Sequence, residues 1–130
     1  MSDARTPSEE ELVELAHQVF DWARAGERER IAAYVDAGVP VNLTDESGNT
    51  LLMLAAYHGH ASTVTMLAGR GADVDRLNDR GQSPLAGAVF KAEHDVVAAL
   101  LEAGADPDAG TPSARETADL FGRPDTLERA

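Results

Sequence analysis

Apolar residues recur along this chain with a period of 33 residues. Within each period they stand at positions i, i+3 and i+4, which share one face of an α-helix. A helix of about ten residues is unstable alone in water, but stacked copies can shield one another's apolar faces. The pattern therefore predicts a solenoid of repeated helical units. The three apolar columns are Ile31, Val64 and Val97; Tyr34, Leu67 and Leu100; and Val35, Ala68 and Leu101.

Residues that favour the start of a helix follow the same period. Thr50 and Ser83 are good N-caps, because a side-chain oxygen can accept a hydrogen bond from a free amide of the first turn. Pro84 suits the first helical position, where its missing N–H costs nothing. We expect a second helix in each of these units to start at Ala61 and at His94.

Glycines and polar residues mark the turns between these helices. Gly59 is expected to end the first helix of its unit, and Gly71 and Gly104 stand where a left-handed residue terminates the second. The stretch "ADVDRLNDRGQ" at 72–82 then offers turn residues rather than a helical pattern. It predicts an extended, hairpin-like finger between successive helix pairs.

The two ends of the chain carry altered versions of the unit. Ser8 and Glu11 have the spacing of a capping box, and Pro124 can open a short last helix that Leu127 closes. The first helix should bury one long apolar face: Leu12, Leu15, Ala16, Val19 and Phe20. We expect a flexible N-terminus at 1–7 and one domain at 8–130, with units at about 8–44, 45–77, 78–110 and 111–130.

The order of these features resembles the ankyrin repeat. Gly-x-Thr/Ser-Pro-Leu, Ala-Ala, Gly-His, Leu-Leu and Gly-Ala-Asp follow one another on the 33-residue period, with a good match from Asp45 to Asp108. The resemblance implies an all-α solenoid of stacked helix-turn-helix units with finger loops, about four repeats including two degenerate caps. It also implies that His60, at the Gly-His position, forms structural hydrogen bonds between neighbouring loops.

The net charge of the chain limits the classes of molecule that it is expected to bind. The net charge is −12 with a pI near 4.5, so nucleic acid and anionic membranes should be repelled. A protein with a basic patch would be attracted, although the acidity is also explained by solubility alone. The polar start and the short apolar runs predict a soluble, cytoplasmic chain without a signal peptide or membrane span.

The sequence offers little catalytic chemistry. Cysteine is absent, and "HGH" at 58–60 lacks a third ligand at a supporting spacing for a metal. "DRLNDRG" at 75–81 lacks the glutamate of a calcium loop, and no phosphate-binding glycine motif occurs. We therefore expect no enzyme, metal or cofactor. An enzyme would need a pocket in the concave groove, lined by Tyr57, His58 or Asp119.

A partner is expected on the fingers and first helices, because the resemblance implies that these line a concave surface. Tyr57, Phe90, Arg80 and Leu77 form its expected centre, since aromatic residues and arginine anchor interfaces. Alternatively, the rings of Tyr57 and Phe90 pack against the first helix of the next unit instead of facing a partner. The full candidate set is Thr44, Glu46, Ser47, Asn49, Tyr57, His58, Leu77, Asp79, Arg80, Gln82, Phe90 and Lys91.

These features favour a protein–protein interaction module that acts as an adaptor, stabiliser or inhibitor and is monomeric on its own. Two other functions stay open. A small enzyme or small-molecule binder could use the concave groove, and self-association could occur through the stacking faces.

Overall fold

The computed structural model describes residues 8–127, except for the side chains of Leu12 and Pro124. The flexible N-terminus expected at 1–7 and the last residues, 128–130, lie outside the described residues. The helices are α1 (Glu9–Ala25), α2 (Arg28–Asp36), α3 (Leu51–Tyr57), α4 (Ala61–Gly69), α5 (Pro84–Phe90), α6 (His94–Glu102), α7 (Ala114–Leu120) and a 3₁₀ helix (Pro124–Leu127). Within this range no strand forms, and Thr44 and Thr50 make an isolated antiparallel bridge. The expected all-α class is confirmed.

The helices form two layers that run along the stack. α1, α3, α5 and α7 pack in succession in one layer, and α2, α4, α6 and the 3₁₀ helix pack in the other. The column of Ile31, Val64 and Val97 lies in the shared core, with exposed fractions of 0%, 0% and 2%. Fully burying such a side chain contributes about 1.5–3 kcal/mol relative to exposure. The predicted solenoid of helix pairs is therefore confirmed.

The predicted caps start the first helices. The Thr50 hydroxyl accepts a hydrogen bond from the Met53 amide at 3.0 Å, and the Ser83 hydroxyl accepts one from the Ala86 amide at 3.1 Å. Both caps are buried, so their hydroxyls replace water as partners of amides that the helix itself leaves unbonded. Ser8 with Glu11 completes the expected capping box.

A left-handed residue separates the two helices of each unit. Gly26, Gly59, Ala92 and Gly122 hold equivalent positions, with φ values of +75°, +81°, +58° and +65°. Gly59 ends the first helix as predicted, whereas Ala92 carries a side chain in a conformation that L-residues disfavour. The turn is thus kept in the third unit at a local conformational cost.

Side chains next to these turns connect neighbouring units. His60 Nε2 lies 2.8 Å from the Arg24 carbonyl oxygen, so the protonated nitrogen donates to the end of α1. Arg123, at the equivalent place in the last unit, donates through Nη1 to the Val89 carbonyl at 3.2 Å. The structural role expected for His60 is confirmed.

Polar side chains at the finger bases make a second connection. The Asp73 amide donates to Asn42 Oδ1 and the Asp106 amide to Asp75 Oδ1, each at 2.8 Å. At the last finger, Asp108 Oδ1 instead accepts from Arg115 Nε at 2.8 Å. The carboxylates of Asp73, Asp75 and Asp106 therefore accept from backbone amides, within a turn or across units, whereas that of Asp108 bonds Arg115.

The third finger is shorter than the first two. The caps Thr50 and Ser83 are 33 residues apart, but Ser83 and Ser113 are only 30 apart. The Thr111 amide donates to the Gly81 carbonyl oxygen at 3.0 Å and ties the short finger to its neighbour. With this shift, the residue of α7 equivalent to Tyr57 and Phe90 is Leu120.

Replacing Ala92 with glycine should stabilise the fold, because glycine adopts a positive φ without steric cost. We expect Ala92→Gly to raise the free energy of unfolding by about 1 kcal/mol, measured by urea denaturation. Ala103→Gly is the matched control, since Ala103 has an ordinary φ of −82°. The control should lower stability, and a loss of stability in both variants would contradict the strain at Ala92.

The contact between Gly26 and His60 can be separated from backbone strain. A methyl group at Gly26 would lie 2.6 Å from His60 Nδ1, whereas one at Gly71, with a φ of +91°, would meet no atom within 4 Å. Gly71→Ala should cost about 1 kcal/mol of unfolding free energy, and Gly26→Ala at least about 1 kcal/mol more, because His60 must move and lose its hydrogen bond. Equal losses in the two variants would show that the contact with His60 contributes nothing.

Candidate partner-binding surface

Three equivalent apolar side chains lie exposed at the ends of successive first helices. Tyr57 ends α3, Phe90 ends α5 and Leu120 ends α7, with exposed fractions of 45%, 58% and 76%. Phe121 follows directly and is also exposed. Because α3, α5 and α7 are neighbours in one layer, these four residues form a continuous surface, which we name the apolar stripe.

The rings of the apolar stripe contact the next unit and still face solvent. Phe90 meets Phe121 edge to face, with ring centroids 5.6 Å apart. Lys91 Nζ lies 4.3 Å from the centroid of the Tyr57 ring, and any side chain at Gly87 would touch that ring. Both sequence interpretations of Tyr57 and Phe90 thus describe part of their surroundings, since the rings pack against the next unit and stay about half exposed.

The apolar stripe lines a groove of about 340 Å³ that extends over the second, third and fourth units. We name it the apolar groove. Its volume is at the small end of ligand pockets, and its walls are mainly apolar. It is lined by Met53, Tyr57, Gln82, Ser83, Ala86, Gly87, Phe90, Pro112, Thr117, Leu120 and Phe121.

A second groove of about 560 Å³ continues from the first, since Met53, Tyr57 and Gln82 line both. We name it the polar groove. It lies between the first two fingers and the ends of α1 and α3, so most of its lining is polar or charged. Its other lining residues are Arg24, Asp45, Glu46, Ser47, Asn49, Leu54, His58, Asn78, Asp79 and Arg80.

Hydrogen bonds fix the fingers that border the polar groove. Asp45 Oδ1 accepts from the amides of Ser47 and Asn49, each at 2.9 Å. Asn78 Nδ2 donates to Asn49 Oδ1 at 3.0 Å, and the Asp79 amide donates to the Ser47 carbonyl oxygen at 3.0 Å. The two fingers are therefore joined to each other, so their surface is ordered before any partner arrives.

His58 lies in the polar groove, and its surroundings lower the pKa of its imidazole. Partial burial lowers the pKa of His58 from its usual value, and repulsion from Lys91, His60 and Arg24 lowers it further. The imidazole is consequently biased towards its neutral form, in which it can both donate and accept a hydrogen bond.

The three residues named for an enzymatic pocket are not gathered at one place. Tyr57 and His58 are neighbours, with ring centroids 5.5 Å apart. Asp119 lines neither groove. It lies near Arg115, whose pKa is raised mainly by its hydrogen bond to Asp108 and to a smaller extent by the charge of Asp119. Among residues 8–127, no cluster of three or more histidines and carboxylates could hold a metal ion.

The structure distributes the predicted partner-binding residues over several surfaces. Thr44 borders a further groove beside α1, which shares Glu46 and Ser47 with the polar groove. Lys91 covers the Tyr57 ring, and Leu77 lies against Gly110 of the third finger. The polar groove gathers Glu46, Ser47, Asn49, Tyr57, His58, Asp79, Arg80 and Gln82. The apolar groove contains Phe90 with Tyr57 and Gln82.

Pro112, Leu120 and Phe121 were missed by the sequence prediction. They line the apolar groove beside Tyr57 and Phe90. Their signal was the 30-residue spacing from Ser83 to Ser113, which moves the repeat register by three residues and makes Leu120 the equivalent of Phe90. A strict 33-residue period hides that equivalence.

In the part of the chain that the structure describes, no helix has the length and apolar character needed to span a membrane. The family described as Ankyrin repeats (3 copies) matches residues 20–111. Ankyrin repeats are generally protein–protein interaction modules and typically not enzymes.

Curated relatives agree with this match. A protein of Pseudomonas aeruginosa named for its ankyrin repeats is 45% identical over 67 residues, which cover 51% of this chain and 39% of the relative. One of Treponema pallidum, also named for ankyrin repeats, is 33% identical over 78% of this chain and 35% of its own length. Serine/threonine-protein kinase 12 of Arabidopsis thaliana is 33% identical over 75% of this chain and 23% of its own length.

This chain thus spans well under half of the length of each of these relatives. The likeness extends over the stacked helix pairs, which are the feature that the family match and the structure share. The chain belongs to the ankyrin repeat family.

Proposed function

We propose that this chain is a protein–protein interaction module that acts as an adaptor, stabiliser or inhibitor of a partner protein. The partner is held on the finger loops and on the surface formed by the ends of the first helices. The observation that carries the proposal is the apolar stripe, where Tyr57, Phe90, Leu120 and Phe121 are exposed together beside an ordered polar groove.

The apolar stripe has the character of an interface centre. Isolated exposed apolar residues are ordinary, but a contiguous patch of them indicates a surface that associates with another molecule. Aromatic side chains supply large contact areas and have few rotatable bonds, so ordering them at an interface costs little entropy. Tyr57 and Phe90 are further held by ring contacts to Lys91 and Phe121, which reduces that cost again.

The polar groove supplies specificity next to this centre. Its donors and acceptors stand on fingers that are already joined by hydrogen bonds, so little conformational entropy is lost when a partner binds. The net charge of −12 would speed the approach of a partner with a basic surface. Nucleic acid and anionic membranes remain disfavoured for the same reason.

The double substitution Tyr57→Ala with Phe90→Ala should weaken capture of the partner by at least about tenfold, because truncated aromatic anchors typically cost 2 kcal/mol or more in binding. Both rings are about half exposed, so circular dichroism and the melting temperature should show a folded protein. The measurement is affinity capture from the source cell, with each captured protein quantified by mass spectrometry.

Thr65→Ala is the control, since Thr65 is an exposed residue on α4, in the layer of second helices, and lines neither the apolar nor the polar groove. It should leave capture unchanged. An unfolded double variant would show that the rings serve the core rather than a partner. A folded double variant with undiminished capture would remove the apolar stripe from the interface.

A further inference from the structure

The rim of the apolar groove carries positive charge, opposite in sign to the net charge of the chain. The net charge is −12, yet two cations cover the rings at its rim. Lys91 Nζ lies 4.3 Å from the Tyr57 centroid, and the Arg123 guanidinium carbon lies 5.2 Å from the Phe121 centroid. Lys91 is also the only lysine of the sequence. The groove itself is lined by uncharged residues alone.

Four acidic side chains of the surrounding elements make contacts elsewhere in the structure, and none of them lines the apolar groove. Asp79 in the second finger lies against Gly48 of the first finger, and Glu93, after α5, lies against Gly59. Glu116 in α7 accepts a hydrogen bond from the Ser113 amide at 2.8 Å as part of a capping box. Together with the hydrogen bond to Asp108, the charge of Asp119 helps to raise the pKa of the Arg115 guanidinium. Arg80 lies in the adjoining polar groove with the carboxylates of Asp45, Glu46 and Asp79, so the positive charge at the rim of the apolar groove comes from Lys91 and Arg123.

Three side-chain oxygens inside the apolar groove already have partners within the chain. The Ser83 hydroxyl accepts from the Ala86 amide, Thr117 Oγ1 donates to the Ser113 carbonyl oxygen at 2.8 Å, and Gln82 Oε1 accepts from Asn78 Nδ2 at 2.8 Å. An occupant therefore gains mainly apolar contact inside the groove, and its charged contacts must come from the rim.

We propose that the apolar groove binds a segment of the partner that carries at least two neighbouring apolar side chains flanked by an aspartate or glutamate. The apolar side chains contact Tyr57, Phe90 and Leu120, and the carboxylate pairs with Lys91 or Arg123. This inference rests on the proposed interaction function and specifies the chemistry of the segment that enters the groove.

The rim cations are suited to that carboxylate. A cation held over an aromatic ring keeps N–H groups available on its outer side, and Arg123 uses only Nη1 in its hydrogen bond to the Val89 carbonyl. A charge-assisted hydrogen bond to a carboxylate is stronger than a neutral one. A second copy of this chain is a poor occupant, because two molecules that each carry −12 repel one another.

The test is a selection of linear peptides from a displayed random library against the full chain, followed by affinity measurements on the enriched peptides. The enriched peptides should combine two or more apolar residues with a flanking aspartate or glutamate. Their affinity should fall about tenfold with Lys91→Glu, as expected when a close charge pair at an interface is replaced by repulsion, and by a similar factor with Leu120→Ala.

Arg76→Glu is the matched control, because it changes the net charge by the same amount at an exposed residue that does not line the groove. It should leave the affinity within about twofold, since exposed charges far from a contact are screened by salt. Circular dichroism should show all three variants folded.

Peptides with basic flanks, peptides insensitive to Lys91→Glu and Leu120→Ala, or an equal loss with Arg76→Glu would each overturn the inference. Absence of any enriched peptide would overturn it as well. In each of these cases, the proposed interaction function would still hold if the affinity capture showed a cellular partner whose binding depends on Tyr57 and Phe90. Failure of that capture is the separate result that counts against the function itself.

Discussion

Burial of apolar faces between successive helix pairs is the interaction on which the rest of this structure depends. The first helices α3, α5 and α7 have only seven residues each, too few to persist alone in water. Ile31, Val64 and Val97 are shielded only because neighbouring units cover them. Stability is therefore shared along the stack, and loss of one unit would expose the core faces of its neighbours.

Hydrogen bonds between consecutive units determine the register in which the units stack. The contact of His60 with the Arg24 carbonyl, the bond from Asp73 to Asn42 and the bond from Asp106 to Asp75 each join consecutive units. Each such hydrogen bond contributes about 0.5–1.5 kcal/mol to stability. Their consequence is geometric, because they fix the register in which the first helices repeat and hence the spacing of Tyr57, Phe90 and Leu120.

The candidate surface follows from that register. Residues at the ends of the first helices cannot enter the core, so apolar side chains placed there remain exposed along one edge of the stack. Hydrogen bonds between the first two fingers order the adjoining polar groove. The shortened third finger brings Pro112 into the apolar groove with Leu120 and Phe121. A rigid scaffold with an ordered edge suits recognition of another protein, because little conformational entropy is lost on binding.

The sequence by itself determined the architecture of this protein, because the 33-residue period of apolar columns, N-caps and glycines specifies local structure that each unit repeats. It also indicated the structural hydrogen bond of His60, and it included Tyr57 and Phe90 in the expected partner-binding surface. Only the tertiary structure showed that Lys91 covers Tyr57, that Phe121 meets Phe90, and that Asp79 and Glu93 lie against glycines of the preceding unit. Those contacts join residues of different units, and their geometry depends on how units stack rather than on any spacing within the chain.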